Sequence, residues 1–312
     1  MPTPAQPSAA RPEISSRAWA ELALLGLVWG ASFVSVAVAL REMGFFTTVL
    51  HRVFWAAVIL WIWVVWRGLP VPRSARVWGA LLAMGILNNV LPFSLMAWGQ
   101  TQIESGLTAI LNAATALFAV LLAAAVFADQ RLTLRRLAGV MLGFVGVVVA
   151  IGAEALGGFD LRSLAQIAVL GGTLSYACAG IWARLALGGL SPAVSAAGMT
   201  SASALIMLPV AIWQDGLPGF ALSIEGLAAI AYIAGPGTAL AYLLYYRILG
   251  MAGPGNLMLV TLLIPVVAIL LGAAVLGEAL RPSALIGFVL LAAGLAMLDG
   301  RVLTWLSASK AR

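Results

Sequence analysis

The stretch Tyr245–Asp299 constrains the fold more than any other part of the chain. Between Pro254 and Leu276 its only polar side chains are Asn256 and Thr261. A short polar hinge follows, with Gly277, Glu278, Arg281 and Pro282, and then a second apolar run to Leu298. Each run is about 20 residues, the length at which a helix crosses about 30 Å of hydrocarbon. Hydrocarbon offers no partner to a backbone N–H or C=O, so a lone spanning segment must be helical. The stretch predicts two transmembrane helices joined by a tight turn. Pro265 sits in the first as a breaker at membrane depth.

The same unit recurs along the chain. Ten spans are expected, at Glu21–Leu40, Thr47–Trp66, Arg76–Gly99, Ser105–Phe127, Arg136–Gly152, Ser163–Leu187, Pro192–Trp213, Gly226–Leu249, Pro254–Leu276 and Ser283–Asp299. The connections are too short to hold a soluble domain. Charged residues make up only 9% of the chain against 63% hydrophobic, where a soluble domain carries about a quarter charged. The fold class is therefore an all-α integral membrane protein of ten transmembrane helices. Residues 1–18, rich in Pro, Ala and Ser, read as a disordered tail rather than a signal peptide. Residues 303–312 read as a second tail.

Basic residues set the orientation. Of 17 Lys and Arg, Arg41, Arg162 and Arg281 fall on one side, Arg52 lies inside the second span, and the other 13 share the side of the termini. The positive-inside rule then puts both termini in the cytoplasm. Trp19, Trp66, Trp78, Trp213 and Trp305 fall at span ends, as interfacial residues do. Arg far outnumbering Lys, with abundant Ala, suggests a GC-rich bacterial genome and hence an inner, plasma membrane.

The two halves of the chain match weakly. A shift of 148 residues lays Leu95–Ala150 over Leu243–Leu298 without a gap, so that Gly106 meets Pro254, Gly139 meets Gly287 and Gly146 meets Gly294. A shift of 145 pairs Leu25-Gly26 with Leu170-Gly171. Each half holds five spans, residues 19–153 and 154–302. Five is odd, so the second half enters the membrane upside down, as two inverted repeats. Transporters use this architecture, with the solute site near the midplane where the repeats meet.

Several chemistries are excluded by what is missing. The only cysteine is Cys178 and the only histidine is His51, which removes an internal disulfide and an HExxH zinc site. The only lysine is Lys310, so a Walker A loop is absent. No cofactor or metal is implied, and no set of acids, bases and nucleophiles points to an enzyme. The net charge of +6 is spread too thinly for a nucleic-acid partner. The partners expected are a small-molecule substrate and membrane lipid. Two five-span halves make one chain a complete transporter, functional as a monomer. Gly139 and Gly143 form a GxxxG that packs either inside the monomer or at a dimer face.

Polar residues inside the spans are few. Asn88 and Asn89 lie mid-way along the third span with Pro92 one turn on. An amide in hydrocarbon needs partners, either another helix or a solute. Gly235, Pro236 and Gly237 interrupt the eighth span within about a turn of the equivalent depth. Paired breakers in corresponding spans point to a transport site, with Pro92, Gly235, Pro236, Gly237 and Pro265 as hinge candidates. Trp29, Ser32, Phe33 and Val36 recur at helical spacing on the first span. Ser175, Tyr176 and Trp182 suit the same role in the sixth, Asn112 and Thr115 in the fourth, Tyr242 and Tyr246 in the eighth, and Asn256 and Thr261 in the ninth. From these the substrate-binding candidates are Trp29, Ser32, Asn88, Asn89, Asn112, Thr115, Ser175, Tyr176, Tyr242, Tyr246, Asn256 and Thr261. No Asp or Glu lies at mid-membrane depth, which removes the obvious proton-coupling site and permits facilitative transport. Arg52 is expected to snorkel to the outer surface or pair with Glu42, with a gate role as the alternative.

Trp29-Gly30-x-Ser32-Phe33 resembles the WGxxF opening of EamA-type proteins in the drug/metabolite transporter superfamily. Pro265, Gly277-Glu278, Leu280, Gly287 and Gly294 resemble the P…GE.L…G…G signature that closes that family's second repeat. In the first repeat Asp129-Gln130 stands where Gly-Glu is usual, and Leu117 where Pro is usual. The resemblance implies ten helices, cytoplasmic ends and export of small metabolites. The tryptophan-rich composition is most similar to the aromatic amino-acid exporter branch. The expectation is a secondary transporter of neutral or aromatic amino acids, working by alternating access through a cavity between the repeats. A lipophilic-cation or nucleoside exporter of the same fold is the alternative; a channel or membrane enzyme is a third, for which no motif appears.

Overall fold

A computed structural model describes residues 14–103, 105–152, 156–157, 160, 163–217, 222–276 and 282–299. The Gly277–Arg281 hinge and the chain before Ile14 and after Asp299 lie outside these residues, and with them most of both expected tails. The described part is all-helical. In chain order the helices are α1 (Ser16–Ala39), α2 (Phe45–Trp66), α3 (Ala75–Gly85), α4 (Leu91–Gln100), α5 (Ser105–Val126), α6 (Leu134–Ile151), α7 (Leu164–Ala186), α8 (Pro192–Gln214), α9 (Ile224–Ala234), α10 (Ala241–Ala252), α11 (Pro254–Leu257), α12 (Val260–Leu276) and α13 (Pro282–Asp299). Seven helical stretches among the described residues are long and apolar enough to cross a membrane. Ile62, Val65, Leu205 and Val289 are each more than 60% exposed on the flanks, a surface that water would not tolerate and lipid does.

Local chemistry sets the helix ends. The Ser15, Thr133, Ser191 and Ser223 side chains each accept a backbone N–H of the following first turn. Pro192 opens α8, where its missing N–H costs nothing. Gly152 and Gly253 close α6 and α10 at φ 113° and 76°, a conformation that side chains resist. The first helix starts at Ser16, five residues before the expected Glu21.

Two stretches read as single spans are not simple helices. A π-helical turn, Ile86–Val90, joins α3 to α4, and a second, Gly235–Leu240, joins α9 to α10. The breakers explain both. Pro92 has no N–H to offer Asn88, and Pro236 none to Tyr232, so the ladder is re-registered through i to i+5 bonds. The ninth expected span also divides, but at Met258 and Leu259, between α11 and α12. Pro265 itself lies inside continuous α12.

Packing follows a pattern of exchange. α2 lies against α8 and α6 against α13; α1 packs on α12 and α9, while α7 packs on α5 and α4. Exchanging the earlier and later helices of the chain returns the same set of pairings. The α6–α13 contact is backbone to backbone. A Cβ placed on Gly146 would stand 2.8 Å from Gly287 O, and one on Gly294 would stand 2.6 Å from Gly139 O. The GxxxG of α6 is thus spent inside the monomer, against α13.

The bundle ends are tied by charge. At the end bearing the α1–α2 turn, Thr47 donates its N–H to Asp215 at 2.7 Å, and Ser223 donates its backbone N–H to Glu42 at 2.9 Å. Each carboxylate thereby sits at a helix N-terminus, where the backbone dipole favours it. Ser223's hydrogen bonds hold the Glu42 carboxyl below its ordinary range. At the opposite end Glu21 pairs with Arg247 and Arg17, and Asp129 with Arg184.

Candidate functional site

The first π-turn meets a cavity of about 130 Å³ at Asn88, and two other lining residues, Trp29 and Arg52, bond the second π-turn. The cavity extends from Tyr242 and Met258 to Leu40 and Phe45 beside the α1–α2 turn. Seven of the substrate-binding candidates line it: Trp29, Ser32, Asn88, Asn112, Tyr176, Tyr242 and Thr261. No carboxylate is among the lining residues described.

The second π-turn is held by α1 and α2. Trp29 donates its indole N–H to Gly237 O at 3.1 Å, and Arg52 donates Nε to Thr238 Oγ1 at 2.8 Å and Nη2 to Gly237 O at 3.4 Å. Thr238 in turn donates to Ile233 O at 2.7 Å. Gly237 is bare for a reason: a Cβ there would meet Ser32 Oγ at 2.6 Å. The first π-turn is held in the same way by the later half. Ser175 on α7 donates to Leu87 O at 2.7 Å. So Trp29 on α1 and Ser175 on α7 each satisfy a carbonyl of the opposite π-turn.

The adjacent asparagines part company. Asn88 reaches the cavity, its amide nitrogen 3.7 Å from the Met199 sulfur and its oxygen without a hydrogen-bond partner. Asn89 is fully buried behind it. It donates to Ser203 Oγ at 2.7 Å and accepts the Tyr242 hydroxyl. It therefore ties the first π-turn to α8 and α10.

Four other candidates also stand off the cavity. Thr115 is fully buried and donates to Asn112 O. Ser175 is used by Leu87, as above. Asn256 accepts from Arg136 Nη2 at 3.0 Å and donates to Ala252 O. Tyr246 donates to the Met199 sulfur at 3.5 Å and lines a different cavity, of about 360 Å³, among α7, α8 and α10 at the Asp129–Arg184 end. There Arg184's hydrogen bond keeps the Asp129 carboxyl below its ordinary range. Between the cavities lie Tyr242, Tyr245 and Tyr246, in successive edge-to-face contacts at 6.1 and 5.2 Å.

The main residue misplaced by sequence reasoning is Arg52. It neither snorkels outward nor meets Glu42, which Ser223 occupies. It turns inward, its guanidinium 4.0 Å over the Phe93 ring. Phe93, Met96, Tyr245 and Met258 were not anticipated as lining either. Such apolar and aromatic side chains look the same in sequence whether they face lipid or a cavity.

The comparisons with known proteins fit this geometry. The EamA-like transporter family matches at residues 18–152 and again at 163–298. A "Probable amino-acid metabolite efflux pump" of Salmonella typhimurium is 28% identical over 282 residues, covering 87% of this chain and 91% of that one. A "Probable terminal-alkyne amino-acid exporter" of Streptantibioticus cattleyicolor is 27% identical over 294 residues, 93% and 96% of the two chains. An "Uncharacterized transporter" of Archaeoglobus fulgidus is 30% identical over 146 residues, and this chain spans about half its length (48%). One solved crystal structure superposes with a TM-score of 0.77 at 19% identity, over 91% of this chain and 98% of that one, a likeness of fold.

Proposed function

This chain belongs to the EamA-like transporter family, and from that premise we propose that it exports neutral and aromatic amino acids and related small metabolites by alternating access. The observation that carries the reading is a cavity lined by Trp29, Tyr176 and Tyr242, which the first π-turn enters at Asn88 and whose Trp29 and Arg52 bond the second π-turn. Broken helices in corresponding places are where carriers hold their solutes. Aromatic rings with polar handles suit a solute that is part apolar and part charged. A space of about 130 Å³ is below the roughly 300–1,000 Å³ of sites for drug-sized molecules, which favours a small metabolite over a bulky lipophilic cation. Relatives named for amino-acid export support the same substrate class.

In this reading the chain has ten spans, arranged as inverted repeats 19–153 and 154–302, in a bacterial inner membrane with both ends cytoplasmic. The exchange symmetry of the packing supports the repeats. Trp29, Ser32, Asn88, Asn112, Tyr176, Tyr242 and Thr261 form the solute surface, while Asn89, Thr115, Ser175, Tyr246 and Asn256 hold the helices that carry it. The π-turns act as hinges, and the Tyr242–Tyr245–Tyr246 layer closes one side while the other is open. One monomer suffices.

The test is uptake of labelled neutral amino acids into proteoliposomes, with and without an imposed pH gradient, for wild type, Asn88→Ala and Tyr176→Ala. Saturable uptake that ignores the gradient and weakens in the folded variants is expected. Absence of uptake for every amino acid would overturn the substrate class.

A further inference from the structure

We infer that the cavity lined by Asn88 and Arg52 is a carboxylate site, with Arg52 as the charge partner of the solute. This rests on the transport reading above and names the charged group that the same cavity selects.

Arg52 is the only basic residue in the lining, and no acidic residue lines the cavity among those described. The ion pairs in the described structure use Arg17, Arg184 and Arg247 instead. A guanidinium stays protonated in any protein setting. Held among helices without a counter-ion, it is costly, and such residues mark solute or ion pathways. Thr238 Oγ1, Gly237 O and the Phe93 face hold Arg52 in place, yet none of them carries a negative charge. Nη1 makes no hydrogen bond to the described residues, which leaves part of the fork for a ligand. A carboxylate matches what remains, because it supplies the missing charge and accepts planar N–H donors.

Two polar atoms of other lining residues, Asn88 Oδ1 and Tyr245 Oη, are buried and lack hydrogen-bond partners. A buried acceptor left open is unfavourable until a donor fills it. An ammonium group supplies such donors, and Trp29 and Tyr176 remain to cover an apolar side chain. The cavity thus suits a zwitterion. A lipophilic cation would face Arg52 with like charge, and a nucleoside would leave it unpaired.

The experiment titrates purified protein by tryptophan fluorescence with 3-phenylpropanoate, phenylalanine and phenylalaninamide, for wild type, Arg52→Gln and Arg52→Lys. Wild type should bind both acids and discriminate against the amide. Arg52→Gln should lose at least about 30-fold in acid affinity, the smallest change expected when one partner of a buried charge pair is removed. Arg52→Lys should fall between them. Equal affinity of wild type for phenylalanine and its amide would overturn the proposal, and that comparison requires no variant. So would acid binding unchanged in Arg52→Gln, or no acid binding by wild type at millimolar concentration. Proteoliposome uptake separates the two readings. Acid binding without transport sinks export and leaves the carboxylate site; transport indifferent to acid or amide sinks the carboxylate site and leaves export.

Discussion

Two alanine substitutions on the same face of α6 should have opposite outcomes. A Cβ on Gly146 would lie 2.6 Å from Leu291 N, 2.8 Å from Gly287 O and 3.0 Å from Leu291 Cα. All three atoms are backbone, and non-bonded heavy atoms prefer about 3.5–4.0 Å. α13 must therefore retreat bodily, by most of an ångström. A Cβ on Gly143 would meet only Leu262 Cδ1 at 3.1 Å and Leu291 Cδ1 at 3.4 Å, the free ends of rotatable side chains. Overpacking a tight contact costs about 1–3 kcal/mol, while replacing a helical glycine with alanine returns up to about 1 kcal/mol. Three backbone contacts put Gly146→Ala at the upper end of that cost, about 2–3 kcal/mol, so it should be destabilised by about 1–2 kcal/mol in net, whereas Gly143→Ala should equal or exceed wild type. Thermal unfolding of the purified protein in detergent reads the difference, at about 2 °C per kcal/mol for a chain of this size. Gly294→Ala should resemble Gly146→Ala, since its Cβ would meet Gly139 O and Gly143 N, both at 2.6 Å. If Gly146→Ala melts with Gly143→Ala, the α6–α13 contact is looser than described and the reasoning fails.

Removing the hydroxyl in Tyr242→Phe leaves Asn89 Oδ1 buried without its donor, at a cost of about 1–3 kcal/mol. Transport should slow with little change in preference among amino acids, as a kcat against KM measurement would read. The Asp129–Arg184 pair should contribute less than about 1 kcal/mol, since both side chains are partly open to solvent, at 33% for Arg184 and 46% for Asp129. Because Arg184 lowers the Asp129 pKa, that contribution is present above the ordinary carboxylate range and fades as pH falls through the lowered value. Asp129→Asn should accordingly melt slightly below wild type at pH 7, and the gap should close in acid.

The apolar helices were legible because hydrocarbon admits no other way to satisfy a backbone, and a run of apolar residues displays its own length. The π-turns were legible as interruptions, since Pro92 and Gly235-Pro236-Gly237 cannot complete an α-helical ladder. Rotation about the helix axis was harder to read. α2 is apolar nearly all round, so its sequence does not say which way Arg52 turns; Ser223 takes Glu42 and leaves Arg52 to the second π-turn. Asn88 and Asn89 are alike in sequence, and the π-turn decides which enters the cavity. Asn256 falls to Arg136, a partner 120 residues away that no local pattern reveals.

The most direct measurement of alternating access is paired thiol accessibility. With Cys178→Ala as background, Ala97→Cys reports the cavity at the π-turns and Met251→Cys the cavity beyond the tyrosine layer. A membrane-impermeant thiol reagent is applied from each side of sealed vesicles, with and without a transported amino acid. Alternating access predicts that the substrate shifts the two labelling rates in opposite directions. Full labelling of both positions at once, each from its own side and unaffected by substrate, would describe an open pore and contradict a carrier.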